Sequence, residues 1–213
     1  MDPASPRLHA ILDIDVAATA GWQPAALAAA FLEGGARVIQ VRAKRLASGP
    51  FLEVCEAVVA LARAHRATVI VNDRVDLALM ARADGVHLGQ DDLPVSDARV
   101  LLGPHAIVGC STHTVEQIEA AATLPCSYIA VGPVFGTRTK ETGYDAVGLD
   151  RVAAAVARAG SRPVVAIGGI RLETAASVIA AGATAVAVIS DLLATGDPAG
   201  RVAAYVSALR ETP

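Results

Sequence analysis

Short apolar runs rich in Val and Ile alternate with longer Ala-rich stretches from one end of the chain to the other, and this alternation limits the fold more than any other feature. Runs of period two and stretches of period three to four mark strands and helices respectively. Strands are expected at Leu8–Ile14, Arg37–Val41, Thr68–Val71, Gly85–His87, Ala106–Gly109, Tyr128–Val131, Pro163–Ile167 and Ala183–Val188. Helices are expected in the intervals, the clearest at Pro24–Glu33, Pro50–His65, Thr114–Ala122, Leu149–Ala159 and Leu172–Ala180. Gly34-Gly35, Gly160 and Gly182 fall where helices should stop. Strict strand-helix alternation implies a parallel sheet covered on both faces.

Two α/β architectures satisfy that pattern. A doubly wound sheet normally places a Gly-rich phosphate turn after its first strand, yet Asp13-Ile14-Asp15-Val16 follows here instead of G-x-G-x-x-G. The paired glycines come late, as Gly168-Gly169 after the seventh strand. With about eight units in a chain near the short end of the size range, the reading is a single (β/α)8 barrel with its chemistry at the C-terminal ends of the strands. One domain is expected over residues 1–213, with 1–7 as an N-terminal extension.

Composition narrows the class of function. The chain has 213 residues, 54% of them hydrophobic, enough for a sizeable core. A formal net charge of -3 without a long basic run argues against nucleic acid or an anionic membrane as partner. No apolar stretch approaches the roughly 18–20 residues a spanning helix needs, and MDPASPRLHA lacks the basic start of a secretory signal. Cys55, Cys110 and Cys126 are odd in number and widely spaced, so reduced thiols and a cytoplasmic location are expected.

In a barrel, polar residues that end apolar strands are the ones to inspect. After the second strand, alternation puts Gln40, Arg42 and Lys44 on the inward side, an amide and two cations suited to a diphosphate. The third strand runs into Asn72-Asp73 and the fourth into Gly89-Gln90-Asp91-Asp92, so carboxylates stand beside the cations. Asp73 and Asp92, more than Asp91, suit a Mg2+ ion shared with phosphate oxygens, although Asn72 or Asp73 capping the next helix is the alternative. Ser111, after the fifth strand, either donates to an anion at a helix start or serves as an N-cap. His87 and His113 read as structural, and no local grouping makes Cys110 or Ser111 a nucleophile. The loop through Thr137, Thr139 and Lys140 suits a cover over the site. Gly169 and Ser190, ending the last two strands, suit a monophosphate. Two anion sites imply two phosphorylated small-molecule substrates.

These segments together, QVRAK, VNDRVDLAL, ADGVHLGQDDLP, GCSTHT, VGPVFGTRTK, AIGGI and VIS, resemble the thiamine-phosphate synthase family in order and spacing. The joint presence of NDR, the acids after HLGQ and T-x-T-K carries the resemblance. It implies a transferase joining a hydroxymethylpyrimidine diphosphate to a thiazole phosphate, with release of diphosphate. On this resemblance Gln40, Arg42, Lys44, Asn72, Ser111 and Lys140 hold the pyrimidine diphosphate, with Arg42, Lys44, Ser111 and Lys140 acting in catalysis. Asp73 and Asp92 bind Mg2+. Thr137, Thr139, Gly169, Ile189 and Ser190 hold the thiazole phosphate. A homodimer also fits the resemblance and the apolar composition. Gly136 stands where the family usually has Pro, and Cys110 where Val or Ile is common. The alternative reading is a thiazole tautomerase-like enzyme, sharing the barrel and the thiazole-phosphate site, with an acid/base residue such as His113 and no metal.

Overall fold

The structure is a computed structural model that describes residues 6–136 and 145–212. Eight parallel strands close into a barrel in chain order: β1 Leu8–Asp13, β2 Val38–Arg42, β3 Thr68–Asn72, β4 Gly85–Leu88, β5 Ile107–Thr112, β6 Tyr128–Val131, β7 Val164–Ile167 and β8 Ala185–Val188. Pairing of β1 with β8, with Leu8 opposite Val186 and Ala10 opposite Val188, completes the ring. Around it run α1 Ile14–Thr19, α2 Pro24–Glu33, α3 Ser48–Ala64, α4 Val75–Met80, α5 Val95–Leu102, α6 Val115–Thr123, α7 Gly148–Arg158, α8 Leu172–Ala180 and α9 Pro198–Glu211. A single 3-10 turn, Ser190–Leu193, follows β8. No helix among the described residues is long and apolar enough to cross a membrane.

Side-chain alternation along each strand divides the hydrophobic residues into two cores. Ile11, Val38, Ile70, Tyr128, Ala130, Val165, Ala185 and Ala187 fill the inside of the barrel. Residues of the opposite parity, such as Leu12, Ile39, Val71 and Val86, pack outward against helix residues including Leu27, Phe31, Phe51 and Val58. Phe31 on α2 is fully buried, and truncating such a ring to Ala typically costs about 3–5 kcal/mol.

Most element ends shift by one to three residues from the sequence reading, and two of the shifts bear on the site. β1 stops at Asp13, because the Asp13 carboxylate accepts the Val16 N–H and starts α1 there, so Ile14 is helical. β5 runs on through Cys110, Ser111 and Thr112, with Ser111 paired to Ala130 and Thr112 to Val131. Ser111 therefore belongs to the barrel wall and not to a strand-to-helix turn. Thr114 caps α6 in a capping box with Gln117, which removes the N-cap alternative for Ser111. The cysteines of the described residues are free and buried.

Candidate active site

The inward parity of β1 to β5 produces a polar layer at the C-terminal mouth. Gln40, Arg42, Asn72, His87 and Ser111 are all buried there, together with Asp13. A buried guanidinium needs a partner, and Asp13 supplies it: one carboxylate oxygen accepts from Arg42 Nη1 while the other caps α1 through the Val16 N–H. Arg42 Nε is buried with no hydrogen-bond partner among the described residues. Lys44 lies past the end of β2, half exposed, and its Nζ reaches Asp73 Oδ2 at 2.5 Å.

Asp73 has a left-handed backbone, φ 65°, a conformation Asp tolerates better than most residues. Its N–H donates to the His87 carbonyl at 2.8 Å, tying the end of β3 to β4. Neither Asn72 nor Asp73 caps α4, whose N-cap is Arg74 without a side-chain cap bond, so the capping alternative falls away. Across from Asp73, Asp92 Oδ2 accepts the Gly89 N–H at 2.6 Å. The two carboxylates face each other. Burial pushes the Asp92 carboxyl up, and Asp73 beside it pushes the same way. Burial also acts upward on Asp73, but the Lys44 ammonium and hydrogen bonds outweigh it and hold that carboxyl below its ordinary value. Among the described residues no three of His, Cys, Asp and Glu converge as a metal-binding group. Two carboxylates with oxygen donors alone match a hard ion that takes its remaining ligands from water and substrate.

The other half of the rim is an open cleft of about 1110 Å³. Its walls come from the ends of β5 to β8, including Ser111, His113, Gly169, Ile189 and Ser190. Gly169 needs its positive φ of 63°, and a Cβ there would lie 2.6 Å from the Gly136 carbonyl oxygen and 2.8 Å from Phe135 Cβ. The loops after β6 and β7 are zipped together by Val134 N–H to the Ile167 carbonyl and Phe135 N–H to the Gly168 carbonyl, each 2.9 Å. Loops after strands seven and eight form the usual phosphate site of such barrels. Asp191 anchors this region, accepting from Leu172 N–H, the Arg201 guanidinium and Tyr205 Oη, the last at 2.6 Å. Tyr205 accordingly keeps its proton, held up by burial and by the Asp191 carboxylate.

A match to the family described as thiamine monophosphate synthase extends over residues 13–192 of this barrel. The chain belongs to that family. Thiamine-phosphate synthase of Anaeromyxobacter dehalogenans (strain 2CP-C) is 50% identical over 178 residues, covering 84% of this chain and 79% of that protein. The synthase of Koribacter versatilis (strain Ellin345) is 42% identical over 211 residues, 96% of each chain. Among solved structures, thiamine phosphate pyrophosphorylase from Pyrococcus furiosus superposes with a TM-score of 0.87 at 30% identity, covering 97% of this chain and 96% of that one.

As a thiamine-phosphate synthase, the chain carries the sequence-predicted residues on both halves of its rim. Gln40, Arg42, Asn72 and Ser111 line the buried mouth, Lys44, Asp73 and Asp92 its edge, and Gly169, Ile189 and Ser190 the cleft. Thr137, Thr139 and Lys140 lie outside the described residues. Sequence reasoning gave Asp13 and Tyr128 no role and read His87 as structural. Strand parity carried the signal: Asp13 lies two residues after inward Ile11, and His87 pairs in register with Asn72.

Proposed function

We propose that this thiamine-phosphate synthase transfers the pyrimidinylmethyl group of 4-amino-2-methyl-5-(diphosphooxymethyl)pyrimidine to the nitrogen of thiazole phosphate, forming thiamine phosphate and diphosphate. The observation that carries the reading is the division of the rim: cations and facing carboxylates at β2 to β4, glycines and a hydroxyl at β7 and β8. Arg42, Lys44 and Lys140, with Gln40, Asn72 and Ser111, hold the pyrimidine diphosphate. Gly169, Ile189 and Ser190, with Thr137 and Thr139, hold the thiazole phosphate. Asp73 and Asp92 fit Mg2+, which when bound neutralises charge on the diphosphate. A bound cation would favour ionisation of Asp92, which burial and Asp73 together oppose.

The aminopyrimidine ring delocalises positive charge at its exocyclic methylene, so diphosphate departs before the thiazole nitrogen bonds. Catalysis then rests on stabilising the departing anion and excluding water, without a protein nucleophile. That accords with the buried Arg42 and the half-exposed Lys44 at the mouth, where no nucleophile-base pair is required. Incubation with both substrates, with Mg2+ or a chelator, should yield thiamine phosphate only with the metal. Absence of product at saturating substrate and Mg2+ would overturn the proposal. Arg42→Ala and Lys140→Ala should each lower diphosphate release at least about a hundredfold, the usual scale for losing one transition-state donor. Near-wild-type release in both would remove them from these roles.

A further inference from the structure

A line of polar side chains crosses the inside of the barrel, from β2 to β6, β4 and β5. The Gln40 amide lies against the Tyr128 oxygen. Tyr128 Oη is 2.9 Å from His87 Nδ1, and His87 Nε2 is 3.2 Å from Ser111 Oγ. The two rings stack, with centroids 5.6 Å apart and planes inclined by 12°. Gly109 makes this arrangement possible, because a Cβ there would lie 2.2 Å from the Tyr128 ring and 2.6 Å from His87 Nδ1. Ser111, at the end of the line, also lines the open cleft.

A neutral imidazole has one donor and one acceptor nitrogen, so the direction of each hydrogen bond in this line fixes the next. A Gln40 N–H given to the Tyr128 oxygen turns the phenol proton toward His87 Nδ1. The imidazole proton then sits on Nε2 and is donated to Ser111 Oγ. With that lone pair occupied, the Ser111 O–H is free to point into the cleft. The reverse polarity would make Ser111 donate to His87 and present only lone pairs to the cleft, where an anion would be repelled. Burial keeps Tyr128 protonated, with the Cys110 thiol acting the same way and the Gln40 amide opposing.

We propose that Gln40, Tyr128 and His87 form a directional hydrogen-bond relay that fixes Ser111 as a hydroxyl donor toward the cleft, making Tyr128 and His87 positioning residues for it. The relay rests on the reading that Ser111 acts on the diphosphate substrate. It explains why an imidazole and a phenol occupy barrel-interior positions where β7 and β8 carry Val165, Ala185 and Ala187.

The test reads the imidazole directly. Nitrogen-15 NMR of the substrate-free protein should show His87 as the Nε2–H tautomer, and Tyr128→Phe, which keeps the ring and removes the hydroxyl, should shift it toward Nδ1–H. In turnover, Tyr128→Phe should lower kcat about tenfold with KM for both substrates within about twofold, equivalent to about 1.4 kcal/mol of lost orientation. In a Ser111→Ala background the same change should cost less than about twofold, since the relay acts only through Ser111. A wild-type His87 protonated on Nδ1 would overturn the relay, and so would additive losses in the double variant. The wild-type tautomer needs no substitution, so it decides even where Tyr128→Phe does not fold. Failure of the synthase reading would appear separately, as wild-type protein that makes no thiamine phosphate.

Discussion

Asp13 faces two ways: one carboxylate oxygen starts α1 through the Val16 N–H at 3.1 Å, and the other holds the buried Arg42 guanidinium. The residue that ends β1 thus sets the position of a cation on β2. Asp13→Ala would leave Arg42 buried without a counter-charge, and breaking a buried pair in this way typically costs about 3–5 kcal/mol. Asp13→Asn keeps an acceptor for the cap and should lose less stability, while still lowering turnover through a misplaced Arg42. Urea unfolding of the two variants checks the order, and an unchanged midpoint in Asp13→Ala would show that the pair does not hold the fold.

Asp92→Asn removes one of two facing carboxylates while retaining an oxygen for the Gly89 N–H. The Mg2+ concentration giving half-maximal turnover should rise about tenfold or more, with thermal stability near that of the parent. Removing a repelling charge beside Asp73 accounts for the retained stability. A Mg2+ titration of initial rates measures this, and an unaltered requirement would exclude Asp92 from the metal site.

His9 on β1 is buried inside the barrel, its ring edge-on to Tyr128 at 5.4 Å. Burial alone lowers its pKa from 6.5 to about 4, so the folded state favours the neutral ring. Between those values the unfolded chain binds more protons, and stability falls as pH falls. The contribution is full above pH 6.5 and about 3 kcal/mol of it is lost by pH 4. In His9→Gln the slope of unfolding free energy over that window should shrink by about one proton. Denaturant melts at several pH values would show it, and an equal slope in parent and variant would mean His9 is not the group responsible.

Much of this architecture was legible because barrel strands and helices differ so sharply in period. The bounds of α2 and α8, Pro24–Glu33 and Leu172–Ala180, coincide with the sequence reading. The misread ends have local causes. Ile14-Asp15-Val16 continues an apolar, β-branched run, and only the Asp13 side chain, which competes for the backbone, converts it to helix. Gly109-Cys110-Ser111-Thr112 looks like a turn by composition, yet its pairing with β6 extends the strand. At the rim, Gln40, Arg42 and Lys44 share the expected parity, but Lys44 emerges beyond the strand and joins Asp73 at the edge. The His87–Tyr128 contact depends on an absent Cβ at Gly109 on the strand between them, a long-range relation that no local window contains.

The barrel interior is filled unevenly. Tyr128, Gln40 and His87 enter it at full side-chain length from β6, β2 and β4, whereas β8 contributes only Ala185 and Ala187. Ala187 is also part of the cleft wall, so the depth of the cavity over β8 is set by a methyl group. The charges proposed to bind the diphosphate and the small residues that set cavity depth therefore lie on different strands. Which molecules fit and how a diphosphate is gripped are consequently separable traits of this scaffold, adjustable one without the other.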